Sequence, residues 1–181
     1  FPSHSLGDEA VMSSDSHLNL YANYRSRFPD LDTVLLTTAS GHVYTYADAE
    51  HYSAQIANYL IGLGLNKGDR VSAQVEKSVQ ALWLYLGTIR AGLVFHPLNP
   101  AYTQEELHFF LEDAASSILI CDSSRADALQ ALCKSLSVAH LRTLNADGIG
   151  TLMQGAQMCS THFDTFATSA AAGWVTATTS T

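Results

Sequence analysis

Residues 68–121 read GDRVSAQVEKSVQALWLYLGTIRAGLVFHPLNPAYTQEELHFFLEDAASSILIC, and this stretch decides the fold. Short runs rich in apolar and β-branched residues alternate in it with segments of helical periodicity: strands are predicted at 70–75, 93–98 and 117–121, and helices at 78–91 and 104–114. Two parallel strands cannot be joined by a tight turn, and a helix of this length is the usual crossover between them. The alternation therefore predicts an α/β fold with a mainly parallel sheet flanked by helices.

The same alternation continues towards the carboxyl end of the chain. A helix is predicted at 125–136, a strand at 139–144 and a short helix around 151–158. Residues 166–181 are rich in Ser, Thr and Ala and show little periodicity. We therefore expect the α/β unit to occupy residues 41–165, with a separate Ser/Thr-rich end.

Towards the amino end, the pattern predicts a helix at 16–28 that Pro29 ends, and then a short hairpin from residues 33–38 and 42–44. Residues 1–40 are thus expected to comprise an amino-terminal helix and the start of the hairpin. The stretch Thr45–Asp48 has the form of a capping box, in which the Thr side chain and an acidic side chain three residues later satisfy the first backbone N–H groups. A helix is predicted to begin there.

Composition and charge exclude several classes of protein. The 181 residues include 17 acidic and 9 basic side chains, for a formal charge of −8, and no run of Lys or Arg could follow a phosphate backbone. Nucleic-acid binding and anionic-membrane binding are therefore disfavoured. No apolar run approaches the roughly 20 residues of a membrane span, and no targeting signal is visible, so a cytoplasmic location is expected. Three widely spaced cysteines predict free thiols.

Four motifs occur in a fixed order along the middle of the chain: Thr45-Tyr46, Gly68-Asp69-Arg70-Val71, Arg90-Ala91-Gly92, and the run PLNPAYTQEEL at 97–107. In this order and spacing they resemble the first half of the adenylate-forming (AMP-binding) acyl-CoA synthetases. The resemblance covers roughly residues 40–145. It implies that the chain is the N-terminal portion of the adenylate-forming enzyme fold.

A finer likeness points to one branch of this family. The tetrapeptide Val75-Glu76-Lys77-Ser78, the run Leu84-Tyr85-Leu86 and residues 98–103 look most like the malonyl-CoA synthetases. The resemblance implies that a carboxylate attacks the α-phosphate of ATP to give an acyl-adenylate, and that the thiol of CoA then displaces AMP. The implied partners of the parent enzyme are a small carboxylic acid, ATP and CoA, with Mg²⁺ to spread the charge of the triphosphate.

The resemblance also locates the phosphate-binding loop, which in relatives has the form TSGTTG followed by a lysine and a glycine. Its place here is residues 174–181, which contain no glycine and no lysine. Without glycine, the backbone does not readily take the φ > 0 turns that direct several N–H groups at a phosphate. The chain is therefore expected to be inactive alone and to bind the nucleotide poorly. The candidate phosphate-contacting residues at this position are Thr176, Thr178, Thr179, Ser180 and Thr181.

His96 is the candidate for a substrate contact, because it lies just before Pro97 at the end of a predicted strand, where α/β enzymes present ligand-binding residues. A packed or hydrogen-bonded histidine is the alternative. His51, His108 and His140 lie on separate predicted elements without i, i+4 pairing, so no metal site is assigned. No catalytic residue is assigned either.

Two other functions remain open from the sequence. Another adenylate-forming enzyme, such as a carrier-protein-loading adenylation domain or a luciferase-like relative, would share the fold and the first half-reaction. A non-catalytic interaction module would keep the sheet and lose the phosphate loop. In a complete ligase this region is expected to pack against the remaining sheet, so the isolated chain is expected to expose apolar surface and to self-associate.

Overall fold

The structure, a computed structural model, describes residues 19–164. Within this range the chain forms, in order, α1 (Leu20–Arg25), β1 (Val34–Thr37), β2 (Val43–Thr45), α2 (Tyr46–Gly62), β3 (Arg70–Gln74), α3 (Val79–Arg90), β4 (Val94–Pro97), α4 (Gln104–Asp113), β5 (Ile118–Cys121), α5 (Ser123–Ser135), β6 (His140–Thr143) and α6 (Thr151–Ala156). No helix in this range is both long and apolar enough to cross a bilayer.

Four strands form one parallel sheet in the spatial order β4-β3-β5-β6. The registers pair Ser72 with His96, Ser72 also with Leu119, and Leu119 with Leu141, in each case parallel. The predicted parallel α/β architecture is confirmed. β1 and β2 form a separate antiparallel hairpin with a register shift near Val34, as the sequence predicted.

Alternating residues of the sheet supply two separate cores, because successive side chains of a strand point to opposite faces. On one face, Val71, Ala73 and Ile120 pack with apolar residues of α2, α3 and α6. On the other, Leu119 and Cys121 pack with apolar residues of α4 and α5. The sheet is therefore covered by helices on both sides, which is the usual arrangement for parallel strands.

One close helix contact fixes how α2 lies on α3. A Cβ added at Gly87 of α3 would lie 2.6 Å from Cγ2 of Ile56 and 3.0 Å from the carbonyl oxygen of Ser53, both on α2. Glycine is thus the residue that permits this approach. Trp83, one turn earlier on α3, is buried and stacks on Tyr52 of α2.

The caps account for where most helices begin. Thr45 and Asp48 form the predicted capping box of α2, and Thr103 and Glu106 form a second one at α4. Helix α5 begins at Ser123, two residues before the predicted start, because Asp122 caps it by accepting from the N–H of Ser124.

The predicted extent of the first helix, residues 16–28, was wrong. Asn19 caps α1, and the helix ends at Arg25 instead of continuing to Phe28. Single-turn bonds, from the N–H of Arg27 to the carbonyl of Tyr24 and from the N–H of Phe28 to that of Arg25, close the chain there. Pro29 explains the early end, because the residue before a proline is disfavoured in the helical region.

Candidate functional site

The carboxyl edge of the parallel sheet contains a reversal of strand order. From β3 the chain moves to β4 on one side and then to β5 on the other, and α3 and α4 lie on opposite faces of the sheet. In open α/β sheets such a point leaves a crevice outside the carboxyl ends of the strands, where ligands usually bind. The strands that flank the reversal end at Gln74 and Cys121.

Gln74 organises the backbone at this edge. Its buried side-chain Nε2 donates to three carbonyl oxygens of the loop after β4, those of Asn99 (3.0 Å), Pro100 (3.4 Å) and Tyr102 (3.1 Å). Its Oε1 accepts a hydrogen bond from the guanidinium of Arg125 on α5, which also donates to the carbonyl of Tyr102 at 3.3 Å. One glutamine and one arginine thus hold the loop that contains the PLNPAYT motif against the crevice.

His96 lies within the face of the sheet that α4 and α5 cover, and is 3% exposed. Its Nδ1 is 2.8 Å from Oγ of Ser72, which is also hydrogen-bonded to Oγ of Ser116. Burial lowers the pKa of His96 below its ordinary value; Asp113 opposes this shift and Arg70 adds to it. The imidazole is therefore held neutral in a buried hydrogen-bonded network, and a contact with substrate stays a prediction.

A second feature lies at the carboxyl end of the described residues. After α6, three side chains of α2 and α3 attach the backbone of residues 157–163, which we call the entry segment. Gln55 donates to the carbonyls of Gln157 (3.3 Å) and Cys159 (3.2 Å), and Asn58 donates to those of Ser160 (2.9 Å) and His162 (2.8 Å). Arg90 donates to the carbonyl of Phe163 at 2.9 Å. The entry segment is thereby attached along its length, just before residue 165.

The candidate phosphate-contacting residues themselves lie outside the described residues. These are Thr176, Thr178, Thr179, Ser180 and Thr181.

Tyr21 and Cys121 are titratable groups that pack in the two cores. Burial, together with a hydrogen bond to Glu50, raises the pKa of Tyr21 to about 12. Burial raises the pKa of Cys121 to about 12, so its thiol stays protonated and unreactive near neutral pH. Between residues 19 and 164, no three His, Cys, Asp or Glu side chains converge as they would around a metal ion.

A small cavity of about 230 Å³ lies at the amino edge of the sheet, opposite the crevice. The backbones of Gly64, Ala115 and Ser137, all with positive φ at the ends of α2, α4 and α5, line it together with Asp69 and His140. Because ligands of open α/β sheets bind at the carboxyl ends of the strands, this cavity at their amino ends is separate from the candidate site.

The class of protein follows from the likeness of its fold to solved structures. The structure superimposes on MatB from Rhodopseudomonas palustris with a TM-score of 0.79 and 42% identity, over 82% of this chain and 30% of that one. The fold of the described residues is thus that of the N-terminal domain of adenylate-forming enzymes.

The chain belongs to the AMP-binding enzyme family, whose sequence profile matches residues 23–170. A long-chain-fatty-acid–CoA ligase of Salmonella typhimurium is 36% identical over 102 residues, which are 56% of this chain and 18% of that ligase. A linear gramicidin synthase of Brevibacillus parabrevis is 31% identical over 142 residues, which are 77% of this chain and 3% of that synthase. The chain thus spans less than a third of the length of each of these relatives.

The residues that hold the backbone at the site could not be recognised from the sequence pattern alone. Gln74 and Arg125 had been placed only within a strand and at a helix start, and Gln55 and Asn58 were not singled out. The sequence does contain one signal for Gln74. Ser72 and Gln74 are polar residues at alternate positions of a strand that is buried from Val71 onwards. The contacts of Gln55 and Asn58 join residues 102 or more positions apart, and local periodicity carries no trace of them.

Proposed function

We propose that this chain forms the amino-terminal part of an ATP-dependent acid–CoA ligase of the malonyl-CoA synthetase branch. The observation that carries the proposal is the 42% identity to MatB across most of the chain, since the other relatives named above are less similar. In the first step a carboxylate oxygen of the acid bonds to the α-phosphorus of ATP, and the bond to pyrophosphate breaks. In the second step the sulfur of CoA bonds to the acyl carbon, AMP leaves with the electron pair, and the thiol proton passes to solvent.

The described residues contribute position to this chemistry. Gln74 and Arg125 fix the loop at the carboxyl edge of β4, and Gln55, Asn58 and Arg90 fix the backbone of the entry segment. Residues 19–164 provide no cluster of acidic ligands that would fit Mg²⁺. His96 is proposed as a substrate contact because β4, its strand, ends at the crevice, and its imidazole ring is buried.

We propose that the isolated 181-residue chain does not adenylate acids. Adenylation requires several N–H donors on the triphosphate, and such preorganised donors account for a large share of the rate. The glycine-free residues 174–181 support this proposal, because they lack the residue type that forms such a loop most readily.

A chimera tests the function directly. Residues 1–164 of this chain would be joined to the part of Rhodopseudomonas palustris MatB that follows the equivalent position. Acid-dependent exchange of labelled pyrophosphate into ATP would be measured for the chimera, for MatB and for the isolated chain, with malonate, acetate and decanoate as acids. We expect malonate-dependent exchange by the chimera and none by the isolated chain.

Two results would contradict the proposal. A folded chimera that adenylates none of the acids would show that this chain does not serve as the ligase scaffold. Acid-dependent exchange by the purified isolated chain would show that residues 174–181 bind phosphate in spite of lacking glycine.

A carrier-protein-loading adenylation domain is the second candidate, favoured by the 31% identity to the gramicidin synthase over 77% of the chain. The two candidates share adenylation and differ in the acceptor of the acyl group. Because the acceptor-binding residues of the chimera come from MatB, only a longer protein that contains these 181 residues can decide between them, by acyl transfer to CoA against transfer to a phosphopantetheinyl carrier protein.

We also propose that the isolated chain self-associates. Large apolar side chains are exposed on the hairpin and on two other surfaces: Val34, Val43, Phe109, Ile149 and Met158. Sedimentation velocity at increasing concentration should show species larger than a monomer, and a single monomer boundary throughout would contradict the proposal.

A further inference from the structure

The cavity of about 230 Å³ at the amino edge of the sheet is partly open to solvent and lies outside the candidate site. Three helices, α2, α4 and α5, end beside it. The residue that turns the chain back towards the sheet after each helix has positive φ: Gly64 (92°), Ala115 (46°) and Ser137 (58°). Pockets for drug-sized ligands measure roughly 300–1,000 Å³, so this cavity suits a smaller molecule.

Two of these turning residues keep a side chain at a position where glycine would be less strained. Ala115 and Ser137 are the two non-glycine residues with positive φ among residues 19–164, and both line the cavity. Backbone strain of this kind recurs at ligand-binding sites, where the surrounding structure maintains it. The strain at both positions therefore supports a function for this cavity.

The electrostatic character of the cavity is negative. The last carbonyl groups of a helix lack intrahelical partners and give its carboxyl end a partial negative charge, which favours a cation. Asp69, a partly buried residue just before β3, adds a full carboxylate to the three helix ends. Its Oδ2 accepts from the N–H of Asn66 at 2.7 Å, and no lysine or arginine within residues 19–164 forms an ion pair with it. His140 also lines the cavity, and an imidazole adds a positive charge only when it is protonated.

The polar groups at the cavity fit an ammonium ion better than a metal ion. No three His, Cys, Asp or Glu side chains converge in the described part of the chain, so a metal ion would find too few ligands here. An ammonium group has three N–H donors and no acceptor, and the lining includes the carboxylate of Asp69 and the hydroxyl-bearing residues Ser117 and Ser137. The basic residues nearest to Asp69 in the sequence, Lys67 and Arg70, are exposed and do not line the cavity.

We propose that this cavity binds a small organic ammonium ion, with Asp69 as the charged partner of the ligand. The inference goes beyond the proposed ligase function and does not depend on it, because the cavity and the crevice lie at opposite ends of the strands. An ammonium group can belong to a free amine or to a lysine side chain of another protein. The small volume favours the free amine.

The first experiment titrates the ¹⁵N-labelled 181-residue chain with propylammonium chloride and follows the backbone amides by NMR. We expect saturable shifts at the amides of Leu65, Ser116 and His140, with a Kd in about the millimolar range for so small a ligand. 1-Propanol and propionate have the same chain length without a positive charge, and they should leave these amides unshifted, as should sodium chloride at equal ionic strength. Absent or unsaturable shifts with propylammonium, or equal shifts with 1-propanol or sodium chloride, would overturn the proposal.

Two substitutions at Asp69 separate its charge from its hydrogen bond to Asn66. Asp69→Asn retains an oxygen that can accept this bond and loses the charge, so it should weaken propylammonium binding by about tenfold or more. Asp69→Glu retains the charge on a longer side chain and should bind propylammonium more tightly than Asp69→Asn does. If Asp69→Asn does not fold, the ligand series on the wild type remains the test, since it needs no substitution.

The matched control is Asp147→Asn. Asp147 also accepts from a nearby backbone N–H, that of Ile149 at 2.9 Å, but it does not line the cavity. This variant should bind propylammonium as the wild type does. Undiminished binding by Asp69→Asn, or equal weakening by Asp147→Asn, would contradict the role of Asp69.

A last comparison distinguishes the two sources of an ammonium group. Nα-acetyl-lysine amide carries the same group on the backbone that a protein partner would present. It should bind more weakly than propylammonium, because the cavity is smaller than the pockets that take larger ligands. Equal or tighter binding of the lysine derivative would assign the cavity to a protein partner and would overturn the proposal of a small-molecule site.

Discussion

Replacing Gly87 by alanine should destabilise the protein, although alanine is the better helix former. The new Cβ would lie 2.6 Å from Cγ2 and 2.7 Å from Cβ of Ile56, and 3.0 Å from the carbonyl oxygen of Ser53. None of these atoms is the free end of a flexible side chain, so relief requires α2 to move away from α3. Overpacking of this kind costs about 1–3 kcal/mol, and the gain in helix propensity returns about 1 kcal/mol. Because none of the three atoms can move freely, we place the cost in the upper part of that range, at about 2–3 kcal/mol, and expect a net loss of about 1–2 kcal/mol in the free energy of unfolding.

Urea unfolding followed by far-UV circular dichroism measures this loss. The matched control is Gly62→Ala at the end of α2, where an added Cβ meets nothing within 4 Å, and which should leave the stability unchanged or slightly higher. In an Ile56→Ala background, which removes the closest atom, Gly87→Ala should cost about 1 kcal/mol less than in the wild type. Equal stability of Gly87→Ala and wild type, or an equal cost in both backgrounds, would refute the argument.

Three further outcomes follow from single groups. Burial lowers the pKa of His96 in the folded state, so the unfolded chain takes up a proton at a higher pH than the folded chain does. The free energy of unfolding should therefore fall as the pH drops below the ordinary histidine pKa of about 6.5. In urea unfolding measured at several pH values, His96→Gln should remove the contribution of His96 to this fall. Thr45→Ala should cost about 1 kcal/mol in the same unfolding assay, since it removes the capping box of α2. Mass spectrometry of the native chain after brief treatment with a thiol reagent should find Cys159 modified before Cys121, whose thiol is buried and has a pKa raised to about 12.

The sheet could be predicted from the sequence because each of its strands is a short apolar run between helical segments. The run at 117–121 became β5 without its first residue, and the run at 93–98 became β4 without its first and last residues. The spatial order β4-β3-β5-β6 could not be predicted in this way, since a crossover helix can bring the next strand to either side of the last. That choice determines where the crevice lies, so the site depended on information that the local pattern does not contain.

Some features of the site could likewise be predicted from the sequence, and others could not. The motifs marked the right loops, including the PLNPAYT run and the end of α3, because glycine and proline have strong local preferences. What holds those loops was not visible, because Gln74, Arg125 and Arg90 act on carbonyls between 23 and 73 positions away. Arg90 had an ordinary local explanation as a basic residue in the last turn of a helix, and only its burial shows that it does more.

Residues 160–163 form neither helix nor strand, so no ladder of backbone hydrogen bonds fixes their position. Their carbonyls are instead held by side chains of Asn58 and Arg90, which belong to the two helices with the most extensive mutual packing. A segment opens most easily where its backbone hydrogen bonds are few. In residues 160–163 the side-chain donors of Asn58 and Arg90 oppose such opening. Mutations that loosen the entry segment should therefore be concentrated in the donors on α2 and α3, and changes at exposed side chains of this segment such as Met158 should have little effect, because it is the backbone of this segment, and not its side chains, that the protein holds in place.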